Sequence, residues 1–165
     1  MAAEHVTVRA ADLESAPDVR KLAALRWEWR LARGEQPPHP FEHFVADLGE
    51  WCRAHRDSHR AFLAETVDAA VGMAWYGAYD RVPGPELWFR RSGAIQSVYV
   101  QPDHRGGGTG GRLIDAVLDA ARAEGLDHLL LHPTEPSVPL YLRHGFAPRD
   151  RAMEIDLKAR RNPIA

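Results

Sequence analysis

At 165 residues with a hydrophobic share of 45%, the chain is long enough for one domain with a real core and has the make-up of an ordinary globular protein. A formal net charge of −2 supplies no long-range field to gather nucleic acid or anionic lipid, so no nucleic-acid partner is expected. The single cysteine, Cys52, rules out an internal disulfide; no apolar run approaches the length of a membrane span, and the first residues lack the apolar core of a signal peptide, so a cytoplasmic protein with no membrane partner is expected.

Taken in order, Val6 and Val8 alternate with Thr7 and Arg9 as in a short edge strand. Asp12 or Ser15 offers a cap for a helix that enters at Pro17 and runs to about Gly34, with Leu22, Leu25, Trp29 and Ala32 on one face. Pro37, Pro38 and Pro40 break it, and a second helix over about 41–56 sets Phe44, Leu48, Trp51 and Cys52 on an apolar stripe, where the cysteine reads as a packing residue. His55 and His59 have the spacing of helical metal ligands with Asp57 between them, but no third ligand can be named, and a solvated helix end explains the pair; no metal is expected. Residues 61–65 and 71–76 read as two strands in a meander. Residues 79–91 form a polar and aromatic loop stiffened by Pro83 and Pro85, whose Trp88 and Phe89 either wall an acceptor site or cover the sheet edge.

The chain is organised around residues 94–114. Ile95, Val98 and Val100 give the β-branched enrichment of a strand, which Pro102 ends because it lacks a ladder N–H. Gly106, Gly107, Gly108, Gly110 and Gly111 then strip away side chains and leave backbone N–H groups free to converge on an anion. Leu113, Ile114, Val117, Leu118 and Ala121 recur at helical spacing, so the glycines lie at a helix amino terminus, where the dipole and unpaired donors favour phosphate. A triphosphatase loop would need Gly-Lys followed by Ser or Thr, and the chain reads Gly111-Arg112-Leu113. A dinucleotide fingerprint matches formally at Gly106, Gly108 and Gly111, but the next strand ends Leu131-His132-Pro133 with no carboxylate for a ribose, and too little chain follows for a doubly wound sheet.

Arg105-x-x-Gly108-x-Gly110, preceded by Val98-Tyr99-Val100-x-Pro102, resembles the pyrophosphate loop of the GNAT superfamily of N-acetyltransferases, and Leu140-Tyr141-Leu142-Arg143-His144-Gly145-Phe146 resembles that family's Leu-Tyr-x-x-x-Gly-Phe signature. The resemblance covers about residues 60–157. It implies an α/β fold of α+β type, a central mixed sheet flanked by helices and splayed beside Val100, as a single domain over 1–165. The cofactor core would span about 92–146, with residues 15–57 contributing helices to the acceptor site. It implies acetyl-coenzyme A (acetyl-CoA) as co-substrate, its pyrophosphate on the backbone of Arg105, Gly106, Gly107, Gly108, Thr109, Gly110 and Gly111, its pantetheine arm along Val98 and Val100, and Ser137 where the family has a small residue. The acceptor would be the primary amine of a small molecule or peptide, and a homodimer is compatible with the family.

Locally, Glu124-Gly125 stops the glycine-led helix and Leu129, Leu130 and Leu131 form a buried parallel-type strand, completing a β-loop-α-β unit. A further helix starts near Ser137 and leads into a strand near Phe146, which pairs with a closing strand marked by Met153, Ile155 and Leu157; the tail 158–165 reads as frayed.

Acetyl transfer needs a deprotonated amine, a donor for the developing oxyanion and an acid for the departing thiolate. Tyr141 matches the family's usual general acid, and a backbone N–H near Val98 would polarise the thioester carbonyl. The base is open: many relatives carry a glutamate where this chain has Gln96, which takes no proton, leaving His132, Glu28, Glu86 and His104 as candidates. Thr134 stands where relatives often have asparagine. The rival expectation, kept alive by Gln96, is a coenzyme A- or acyl-coenzyme A-binding sensor or partner module without turnover.

Overall fold

The computed structural model describes residues 5–149 together with Met153 and Ile155. The chain runs β1 (Thr7–Ala10), α1 (Ala16–Ala32), α2 (Phe41–His55), β2 (His59–Glu65), β3 (Ala70–Asp80), β4 (Arg91–Val100), α3 (Thr109–Ala123), β5 (His128–Leu130) and α4 (Val138–Arg143), with single 3-10 turns at Pro102–His104 and Glu135–Ser137. The strands form one sheet in the order β1-β2-β3-β4-β5. The first three pairs are antiparallel and β4 runs parallel to β5.

Strand periodicity divides the core in two, because successive side chains point to opposite faces. Phe62, Ala64, Ala74, Tyr76 and Ile95 pack with Leu113, Ile114 and Val117 of α3. Ala61, Leu63, Met73, Trp75 and Tyr99 pack instead with Leu22, Leu25, Leu48 and Cys52 of α1 and α2. Leu113, Ile114 and Val117 are wholly buried, each contributing about 1.5–3 kcal/mol relative to an exposed side chain, and this fixes α3 across the sheet. Cys52 is buried and its thiol is pushed up to about 11, chiefly by that burial, in keeping with packing and not nucleophilic chemistry.

The entry to α1 is set by its cap. Ser15 Oγ accepts from Asp18 N, and the buried Asp18 carboxylate accepts two bonds of 2.7 Å from the Arg9 guanidinium on β1 and one of 2.9 Å from Asp12 N. The start of α3 is different. Gly108 caps it in the left-handed region (φ 81°) with no side-chain hydrogen bond, and no acidic residue lies in the first turn.

Several expectations are corrected. The loop expected over 79–91 is shorter, since Tyr79 and Asp80 pair with Ser92 and Arg91 and an Arg91–Asp80 ion pair of 3.2 Å closes the ladder; backbone pairing continues past the apolar pattern that marks the strands. Trp88 and Phe89 are 71% and 87% exposed, so they do not cover the sheet edge. His55 ends α2 whereas His59 opens β2, so the two never share a helix face. The strand expected from Phe146 is not formed over residues 146–149, and Met153 and Ile155 carry no strand; the remainder of that expected pair, Leu157 included, and the tail lie outside the described residues.

One feature of the sheet positions the site. β5 pairs with β4 only from Ser92 to Ala94, so beyond Ala94 the strands part and the edge of residues 95–100 is left open.

Candidate active site

The opening beside β4 forms a cavity of about 680 Å³. Its walls are residues 95–100, the loop from Arg105 into α3, residues 131–134 after β5, and Ser137, Leu140 and Tyr141. Of the residues expected to hold the cofactor, Val98, Val100, Arg105, Gly106, Gly108, Thr109, Gly110, Gly111 and Ser137 all line it; Gly107 does not. Gly106 and Gly108 have φ of 81°, which turns the chain back so that α3 starts at the cavity wall, a conformation L side chains avoid. Arg112 N bonds to Gly108 O at 3.1 Å, and no side chain caps the turn before it, so the first amides of α3 have no side-chain acceptor and the helix dipole lies behind them, an arrangement that suits an anion. Arg105 adds positive charge, its Nε donating to Val100 O at 2.8 Å and its guanidinium lying 5.8 Å from the Tyr99 ring centre.

Gly111 lets α4 approach, because a Cβ there would meet the His144 ring at 3.3 Å; His144 is in turn held by Leu140 O at 2.8 Å. Ser137 Oγ donates to Thr134 O at 2.8 Å and accepts from Thr134 Oγ1 at 3.1 Å, so the two residues that differ from the family's usual pair brace each other. Tyr141 is buried with its ring edge-on to Phe146 at 5.6 Å, and burial raises its pKa, which keeps the phenol protonated. Among the described residues its hydroxyl has no hydrogen-bond partner.

A second cavity of about 340 Å³ lies between α1, α2 and the sheet, lined by Arg26, Phe44, Asp47, Leu48, Trp51, Trp75 and Gln96. Gln96 lines both cavities. The reason is a bulge: Trp75 pairs with Ser97 and Tyr76 with Ile95, so Gln96 is the extra residue of β4, unpaired and turned out of the alternation.

The base candidates separate clearly. Glu28 is occupied, its two oxygens accepting from Tyr99 OH and Gln101 Nε2 at 2.7 Å each. Glu86 is exposed and His104 partly buried, and neither lines a cavity, whereas His132 lines the larger one. A further candidate, which sequence reasoning missed, is His59: it lines neither cavity itself but touches Gln96, which lines both, its Nε2 lying 3.3 Å from Gln96 Nε2. Ser58 Oγ has one proton to give; it donates to His55 O at 3.2 Å and so accepts from His59 Nδ1–H at 2.9 Å, which leaves the lone pair on Nε2, where it accepts from Gln96 Nε2 at 3.3 Å. Burial, reinforced by His55 and Arg60, lowers the His59 pKa and favours the neutral ring. Only its place opposite Gly77 in the ladder, invisible to local periodicity, would have revealed it.

The family model of the acetyltransferase (GNAT) family matches residues 21–146. The chain belongs to this family. A glucosamine 6-phosphate N-acetyltransferase of Trypanosoma brucei brucei is 37% identical over 68 residues, 41% of this chain and 46% of that protein. An IAA acetyltransferase of Azospirillum brasilense is 42% identical over 60 residues, 34% of this chain and 39% of that one, so each match spans less than half of the relative. Among solved structures, a predicted acetyltransferase with acetyl-CoA from Clostridium acetobutylicum superposes with a TM-score of 0.74 at 21% identity, covering 93% of this chain and 97% of that one, which places this GNAT chain in the same fold. Among the described residues no helix is long and apolar enough to cross a membrane.

Proposed function

We propose that this GNAT chain transfers the acetyl group of acetyl-CoA to the primary amine of a small molecule. The observation that carries the reading is the meeting of two cavities at Gln96, one ending on the uncapped glycine turn of α3 and the other walled by α1 and α2.

In this reading the co-substrate supplies the activated acetyl group, with its pyrophosphate on the amides of residues 105–111 and its pantetheine arm along the open edge of β4. The smaller cavity presents the amine at the bulge. With the Gln96 amide turned aside for a water, His59 Nε2 takes the amine proton through that water as the nitrogen–carbon bond forms; a β4 amide near Val98 steadies the oxyanion. Tyr141 gives its proton to the sulfur as the carbon–sulfur bond breaks, and bulk water restores both groups. A neutral imidazole and a protonated phenol are the states this division of labour needs, and both pKa shifts run in that direction.

The test is release of coenzyme A thiol across a panel of amines. Turnover with formation of an N-acetyl product is expected. Tight acetyl-CoA binding with no turnover on any amine would favour the sensor module instead.

A further inference from the structure

The smaller cavity holds a cation with no ion-pair partner among the described residues. Arg26 of α1 is partly buried in its wall and donates one hydrogen bond, from Nη1 to Ser97 Oγ at 2.8 Å. Among the described residues that is its one hydrogen bond, and no carboxylate lies within 4.0 Å of it. A guanidinium carries five N–H donors, and withdrawing it partly from water against one neutral hydroxyl leaves most of its charge without a protein partner. Other arginines of the protein are served differently: Arg9 has Asp18 and Glu65, Arg20 has Glu42, and Arg60 and Arg91 share Glu124. Burial, with Arg30 adding to it, lowers the Arg26 pKa, the direction expected for a buried cation lacking an anion.

The rest of the wall agrees. Trp75 is 3% exposed and its indole N–H is buried without an acceptor, so no polar group of this residue offsets the charge of Arg26. Phe44, Leu48 and Trp51 are apolar. Asp47, the one acid there, is exposed and beyond ion-pair distance, so it does not neutralise Arg26.

We infer that the smaller cavity is a subsite for an acceptor carrying an oxyanion, carboxylate or phosphate, on an apolar body, with Arg26 as the anchor and the reacting amine at Gln96. The fork geometry of arginine suits either group through paired bonds, and the aromatic walls favour a compact apolar skeleton over a sugar, whose hydroxyls would find few partners. The inference rests on the acetyltransferase reading for the amine, but the anion site stands on its own geometry.

The experiment titrates the full chain with 3-phenylpropanoate, 2-phenylethyl phosphate and 3-phenylpropanamide by calorimetry, with and without saturating coenzyme A so that the glycine loop is filled in one arm. Turnover of phenylalanine is measured beside that of phenylalaninamide. At least one anion should bind about tenfold or more tightly than the amide, the range of a charge-assisted hydrogen bond, and the two anions compared tell carboxylate from phosphate. Arg26→Met should erase the preference while keeping acetyl-CoA affinity. Equal binding of amide and anions by the parent protein overturns the inference whether or not the variant folds, and so does a preference that survives in a folded Arg26→Met. Anion selectivity without thiol release from any amine would sink the transferase reading and leave the subsite standing; turnover of amides as readily as acids would do the reverse.

Discussion

Gln96 Nε2 and His59 Nε2 lie 3.3 Å apart, and they meet over Gly77, where a Cβ would stand 2.8 Å from the histidine nitrogen and 2.9 Å from the glutamine nitrogen. Three strands converge there: β2 brings the imidazole, β3 leaves the gap and the bulge of β4 turns the amide out. The bare position in the middle strand is what lets its two neighbours touch.

His59→Ala is expected to lower turnover by at least about tenfold, within reach of the 10²–10⁴ that a positioned base typically contributes, without loss of acetyl-CoA affinity. The wild-type pH profile of kcat/KM should fall on the acid side with an apparent pKa below the ordinary imidazole value, because burial, His55 and Arg60 all lower it. That limb should vanish in the variant. A profile unchanged by the substitution assigns the proton to another group.

Gly77→Ala fills the gap. It should separate His59 from Gln96 and reduce turnover as His59→Ala does, with normal circular dichroism and with the acetyl-CoA dissociation constant within about threefold of the parent, a shift under 1 kcal/mol. Full activity in a folded Gly77→Ala would show the contact to be incidental.

Tyr141→Phe keeps the ring against Phe146 and removes the oxygen. Turnover should fall by at least about tenfold while binding and fold persist, and kcat and kcat/KM should fall together. If turnover at saturating acceptor is unchanged with chemistry limiting, the tyrosine is a packing residue.

Gly108→Val and Gly110→Val should both abolish acetyl-CoA binding in calorimetry, for different reasons. At Gly108 the φ of 81° is strained for valine although nothing crowds the added Cβ; at Gly110 the backbone is helical and the Cβ meets Leu140 at an ordinary 3.5 Å, so the bulk acts by occupying the cavity that the residue lines. Parent-like binding by both would move the pyrophosphate elsewhere.

Glu28→Ala tests the distinction between base and brace. Burial, then Glu28 itself, pushes the Tyr99 hydroxyl up to about 12, so it remains a donor across the working range. Losing its acceptor should cost about 1–3 kcal/mol, read from urea unfolding, while the acid limb of the pH profile stays in place.

The sequence by itself determined the parts whose causes are local. A proline that ends a strand, glycines that free backbone amides and an apolar stripe of period 3.6 act over a few residues, so the glycine turn, α3 and the Tyr141 signature were legible, as was the family they resemble. Strand register decided the rest. His59 is 37 residues from Gln96, and Glu28 and Arg26 each sit 71 from the partners that define them, Tyr99 and Ser97. Glu28 and Arg26 are both charged residues on one helix, yet folding sets one against two donors and the other against a lone hydroxyl at a cavity wall. Which outcome each meets depends on how β4 bulges and where α1 crosses it, a long-range packing event that no periodicity in the chain encodes.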